Sequence, residues 1–260
     1  MWDTIIIKPF INLLLWIYMM VGNFGVAIIL FTTLTRLILY PLTAKQIKSS
    51  QAMQELQKNK RYIEIQEKYK NDKEKLAQEQ MKLYQELKIN PLSSCLPTLL
   101  QFPIIIGLYQ ALIQSIASAP LDLLKMTRHL YPGFLNISEL IPLNTHFLWM
   151  DLGLKERLFI PGLNFGIPVL TIIVVITTYF SSKIISPPSQ PGANDQGAMM
   201  TKMMNLYMPI LMGWLAYSLS SGLALYFVIS NIIQILQYAV TGKAYWNNIL
   251  PKKKTETKKA

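Results

Sequence analysis

Arg36 stands in an otherwise apolar run, GNFGVAIILFTTLTRLILYPL, over Gly22–Leu42. A guanidinium stays protonated at every physiological pH, so this run must accommodate a permanent cation. On insertion scales an Arg at the centre of a membrane helix costs about 2.5–3.5 kcal/mol. Thr32 and Thr33 lie one helical turn before it and Tyr40 one turn after. At 3.6 residues per turn, one face therefore joins hydroxyls to the charge. Such a face can attract anions and form hydrogen bonds. Three more apolar runs carry polar faces: Ser94, Thr98 and Gln101; Thr171, Thr178 and Ser182; and Asn231, Gln234 and Tyr238. Steps of three, four and seven residues keep each set on one side of its helix.

Two readings of these faces stand. Arg36 is about six residues from the end of its run, roughly 9 Å along a helix, so it can snorkel to the headgroups. Four polar faces at a similar depth exceed what snorkelling needs, and they would line a shared hydrophilic groove. No Asp or Glu occurs in any of the apolar runs. A channel or proton-coupled transporter usually shows an intramembrane carboxylate or His. A small transporter or channel for an anionic solute is the rival reading, but counter-charges and paired half-helix motifs are missing from the sequence.

The elements that position these residues follow from composition. The chain has 260 residues, 52% of them hydrophobic and 15% charged, with a net charge of +11. A spanning helix needs about 20 mostly apolar residues. Five runs qualify: Gly22–Leu42, Leu92–Ser115, Phe165–Ser182, the shorter Met203–Ser218, and Gly222–Val240. Lipid admits only helices or closed barrels, and these runs lack the alternation of barrel strands. The class is an all-α polytopic membrane protein: five transmembrane helices around a cytoplasm-open groove. Residues 1–20 read as an interfacial amphipathic helix with Trp2, Trp16 and Tyr18 at headgroup level, or as an extension of the first span.

Charge sets the orientation. Eleven Lys or Arg residues fall between Lys45 and Lys88, and six lysines between Lys243 and Lys259. Between the second and third spans Lys125, Arg128, Lys155 and Arg157 are balanced by Asp122, Glu139, Asp151 and Glu156. The positive-inside rule puts 43–90, the 184–202 loop and the 242–260 tail in the cytoplasm, and 119–164 outside. The N-terminus is then outside. Within 43–90, good helix formers dominate. Asn71 with Glu74 has capping-box spacing, and the stripes Tyr62–Ile65–Tyr69 and Leu76–Leu83–Leu87 would pack as a helical hairpin. The fourth and fifth spans, 203–241, form a second hairpin. Pro97, Pro103 and Pro209 predict kinks. The basic tail would touch anionic lipid or RNA phosphates, or simply anchor the topology.

Enzymatic chemistry is poorly supplied. Cys95 is alone, and His129 and His146 lie in the outer loop without a metal or nucleophile motif. No cofactor, metal or DNA is expected.

The segments RLILYPLTAKQIKSSQAMQELQ (36–57) and KYKNDKEKLAQEQMKLYQELKINPLSSCLPTLLQFPIIIGLYQAL (68–112) resemble the YidC-type membrane protein insertases. FLWMDLG (147–153) and SGLALYFVISNIIQILQ (221–237) extend the likeness over nearly the whole chain. Ser221 and Phe227 stand where that family often has Pro and Trp, and Leu154–Arg157 replaces its acidic-proline pattern. The resemblance is to the shorter members without a large periplasmic domain. It implies a non-enzymatic insertase of the bacterial plasma membrane that moves nascent membrane proteins from the cytoplasm into lipid, alone or with the Sec translocon. Arg36 would attract the polar or acidic part of the substrate. The ribosome and the signal recognition particle receptor are further implied partners.

Overall fold

The computed structural model describes residues 3–57, 59–87, 96–115, 126–131, 133, 143–158, 166–185, 196–242 and 244–246. A π-type turn at Asp3–Ile7 runs into α1 (Lys8–Val21). Pro9 fits the first turn of α1, where a backbone N–H would have no helical partner. Gly22 stops the helix at φ +68, its N–H donating to the Tyr18 carbonyl. That left-handed cap suits a residue without a Cβ. Asn23 at once caps α2 (Phe24–Ile38), its Oδ1 accepting from the N–H groups of Gly25 and Val26. Stop and start within two residues turn the chain back, and α1 packs along α2. Ile11, Leu14, Leu15 and Tyr18 join Phe24, Ala27, Ile28 and Phe31 in the core. The segment expected at the interface thus buries one whole face in the bundle. Its buried Asn12 donates to the carbonyls of Lys8 and His129 and accepts from the Tyr131 N–H.

A single residue, Leu39, separates α2 from α3 (Tyr40–Gln57). Pro41 has no N–H to offer the Leu37 carbonyl, which weakens the helix there. α4 (Lys60–Lys68) and α5 (Lys73–Glu86) follow. Asn59 caps α4. The cap of α5 is Asp72, not the expected Asn71; its carboxylate accepts from the Lys75 N–H. Its negative charge also suits the positive end of the helix dipole. Leu56, Tyr62 and Leu83 form a small separate core. Arg61 at the start of α4 pairs with Glu86 at the end of α5, 3.1 Å apart, so the two helices run antiparallel. Leu87, expected in that seam, is exposed because the helix has already ended. Leu83→Ala is expected to cost about 2–4 kcal/mol, since it empties a buried position in a very small core. Amides of α4 and α5 should then lose hydrogen-exchange protection while those of the main bundle keep theirs.

The bundle is completed by α6 (Leu96–Ser115), α7 (Val169–Ile185), α8 (Gln196–Ser218) and α9 (Ser221–Val240). α9 touches α2, α6, α7 and α8, and its residues Ser221–Val228 are buried without exception. α8 begins seven residues before the expected Met203, since Gln and Met sustain a helix beyond the apolar run. Pro97 falls in the first turn of α6, while Pro103 and Pro209 lie inside their helices. By length and hydropathy two helices among the described residues suffice to cross a membrane, Asp3–Val21 and Ser221–Val240. Phe24–Ile38, Phe102–Ile113 and Val169–Ile185 are apolar but shorter.

A helix-only reading omits one element. β1 (His146–Phe147) pairs antiparallel with β2 (Met150–Asp151), and Leu148 in the turn takes φ +54. This hairpin and its flanks serve the helix N-termini, whose first N–H groups lack intrahelical partners. Asn144 O accepts from Phe24 N–H at the start of α2. Leu154 and Leu152 carbonyls accept from Ser221 and Gly222 at the start of α9, at 2.8 and 3.0 Å. The Ser221 hydroxyl reaches Asp151 O at 2.6 Å and Leu154 O at 2.9 Å. Glu156 accepts from Leu170 N–H near the start of α7 at 2.7 Å, and from Trp149 Nε1. A Cβ on Gly222 would lie 3.0 Å from Leu152 O, so the approach depends on glycine. Three helices therefore start at one clasp and run the same way from it.

Candidate functional site

Away from the clasp, the apolar contacts between α9 and its neighbours give way to polar ones. Asn231 Nδ2 donates to Thr178 Oγ1 at 2.8 Å and to Thr177 Oγ1 at 3.2 Å. One turn on, the Ser181 hydroxyl makes a long 3.5 Å contact to Gln234 Oε1. One turn further, Gln237 Nε2 donates to the backbone carbonyl of Arg36 at 3.2 Å. Thr178, Ser181 and Gln237 are buried, and Asn231, Gln234 and Arg36 are half-buried. A buried polar group left without a partner is costly, which makes these interhelical bonds worth having. Among the described residues, the buried Ser230 Oγ and Gln237 Oε1 make no hydrogen bond.

Arg36 occupies the last turn of α2, where a cation complements the negative end of the helix dipole. Tyr40 is half-buried in the first turn of α3. Thr32 is fully buried, yet its hydroxyl donates to Ile28 O at 2.6 Å; Thr33 does the same to Ile29 O at 2.8 Å. Both donors are used on their own helix, leaving acceptor lone pairs for anything alongside.

The expected residues therefore divide. Thr178, Asn231 and Gln234 lie where α7 meets α9, and Arg36 is joined to α9 through its backbone carbonyl. Thr171 sits next to Leu170 at the clasp end, apart from them. Ser182 is half-buried, and its neighbour Ser181 is the serine that turns to α9. Tyr238 is buried. Ser94 lies outside the described residues, and of Thr98 and Gln101 only the helical backbone is described. Thr177, Ser181 and Gln237 belong to the polar side without being in the expected set. Gln237 continues the three-residue step from Asn231 and Gln234, so the spacing contained it; Ser181 and Thr177 stand one place off the expected stripe.

The arrangement offers a cation, amide donors, hydroxyl acceptors and an apolar wall. Among the described residues, no group of three His, Cys, Asp or Glu side chains could hold a metal.

A family model described as 60Kd inner membrane protein matches residues 16–248. The chain belongs to that family, the YidC-type membrane protein insertases. Family membership places it in a bacterial cell membrane. Among its relatives is the "Membrane protein insertase YidC" of Clostridium perfringens, 35% identical over 98% of this chain and 96% of that one. The "Membrane protein insertase YidC 2" of Listeria innocua is 34% identical over 95% of this chain and 74% of its own. A Syntrophobacter fumaroxidans "Membrane protein insertase YidC" is also 34% identical, but the chain spans only 38% of its length. In three dimensions the chain is similar to a solved structure titled "Active YidC insertase crystal structure with the first transmembrane domain resolved". The TM-score is 0.54 at 28% identity, over 87% of this chain and 43% of that one.

Proposed function

We propose that this chain inserts nascent membrane proteins into the bilayer through the polar side shared by α2, α7 and α9. The observation that carries the reading is the division along α9: buried and apolar at the clasp, hydrogen-bonded to Thr177, Thr178 and the Arg36 carbonyl beyond it. In this reading five spans cross the membrane, with the clasp outside and residues 43–90 and the basic tail in the cytoplasm. The side open to the cytoplasm admits the polar or acidic extramembrane part of a substrate, and Arg36 attracts it. That shortens the apolar path the segment must cross. The substrate's own helix then passes to lipid, driven by burial of apolar surface at about 25 cal/mol per Å². The α4–α5 pair receives the substrate, and that pair and the tail meet the ribosome, the targeting receptor or the Sec translocon.

The test is insertion into liposomes containing the purified protein, using a single-span substrate with a short acidic outer tail. Protease protection of that tail should far exceed the level in empty liposomes. Equal protection in the two would overturn the reading.

A further inference from the structure

Arg36 sits third from the end of α2, among the four residues whose carbonyls have no N–H partner within that helix. Pro41 then limits what the following turn can donate. The Gln237 amide arrives from α9, 201 residues away in sequence, and donates to the Arg36 carbonyl. Gln237 is only 7% exposed. An amide is an expensive choice for such a place, since burying it demands hydrogen bonds. An apolar side chain would suit a packing role better, and Leu236 beside it shows that α9 carries such residues. The fork of the amide also fixes its direction. With Nε2 on the carbonyl, Oε1 is left buried with no hydrogen bond among the described residues.

We infer that Gln237 is a positioning residue for Arg36. It caps the last turn of α2 from outside and so fixes where the guanidinium points. The inference rests on the groove reading above. A flexible long side chain such as Arg is aimed chiefly by its own backbone turn, and that turn is the last of its helix. Capping it from α9 couples the cation to the helix that carries Asn231 and Gln234. Cation and polar face then move as one unit.

The experiment compares two substrates in proteoliposomes, one with an acidic outer tail and one with a neutral tail, on the full chain and its variants. Gln237→Met keeps length and loses the donor; Gln237→Leu is a second such variant should the first accumulate poorly. Gln237→His keeps an N–H donor. Arg36→Ala is made alone and combined with Gln237→Met. The expected result is a roughly five- to tenfold fall for the acidic-tail substrate in Gln237→Met, with the neutral-tail substrate within about twofold and Gln237→His partly restored. In the Arg36→Ala background, Gln237→Met should add nothing, because the group it positions is gone. A purely structural role would lower both substrates together and add to Arg36→Ala, and either result overturns the proposal. Failure of both donor-lacking variants to accumulate overturns it too, since the residue would then be needed for folding. If Arg36→Ala itself leaves acidic-tail insertion intact, the groove reading is what has failed. If Arg36→Ala loses activity but Gln237→Met keeps it, only the positioning role has failed.

Discussion

Replacing Arg36 by Ala is expected to cut insertion of acidic-tail substrates about tenfold or more, with a larger loss as their negative charge increases. Two unit charges 4 Å apart attract by about 4 kcal/mol at an effective dielectric near 20. A tenfold change in rate needs about 1.4 kcal/mol, so retention of roughly a third of that attraction suffices. Substrates with neutral tails should change little. Arg36→Lys should keep some of the effect, because it holds the charge but loses the planar fork and is more strongly hydrated. The protein itself should still accumulate: Arg36 is half-buried in the last turn of α2, so its removal opens no cavity in the core. Initial rates of tail protection across substrates of graded charge would check this. A flat response would show that the charge is tolerated, not used.

Gly25→Ala should produce a large loss of a different kind. A Cβ on Gly25 would lie 2.7 Å from Phe147 Cβ and closer still to its ring. The base of a side chain cannot swing away as its tip can, so the first turn of α2 or β1 must shift. Overpacking of this sort costs about 1–3 kcal/mol. It strikes where Asn23 reaches His146 O and Phe24 N–H reaches Asn144 O, so those bonds should lengthen with it. The midpoint of thermal unfolding in detergent should fall. Phe147→Leu in the same chain should return some of the loss, since residues in contact couple. An unchanged midpoint in Gly25→Ala would mean that the contact is not close in the folded protein.

Much of this architecture is legible in the sequence because lipid allows so few solutions. The mostly helical build, the cap near Asn71 and the Asn231–Gln234 step follow from periodicity and from the need to satisfy backbone groups. Only Asp3–Val21 and Ser221–Val240 among the described helices, however, have the length and hydropathy of a span. What escapes the sequence is instructive. Asn71 and Asp72 are both competent caps at neighbouring positions, and only the final geometry of α5 selects Asp72. Ser181 and Ser182 differ by about 100° around α7, so the choice depends on which side α9 approaches. Thr32 and Thr33 stand where groove donors would, yet a threonine in a helix readily turns its hydroxyl to the carbonyl four residues back. The hairpin at 146–151 is two residues per strand, far too short for alternation to register. Gln237 is the more telling omission. Its spacing matches the stripe, but its partner is a backbone carbonyl, and no side-chain pattern announces that.

The clasp has a consequence for how the bundle yields. Opening it would break the Ser221 and Gly222 N–H bonds, both Ser221 hydroxyl contacts and the Glu156 bond to α7 together. The opposite end is joined across helices by contacts that can break singly, from Asn231 to the long Ser181 bond to Gln237. On the insertase reading proposed above, the end away from the clasp would loosen first at the long Ser181–Gln234 contact between α7 and α9, while the Arg36 turn stays held to α9 by Gln237. On that same reading a guest would enter from the loosened end while the clasped end stays closed.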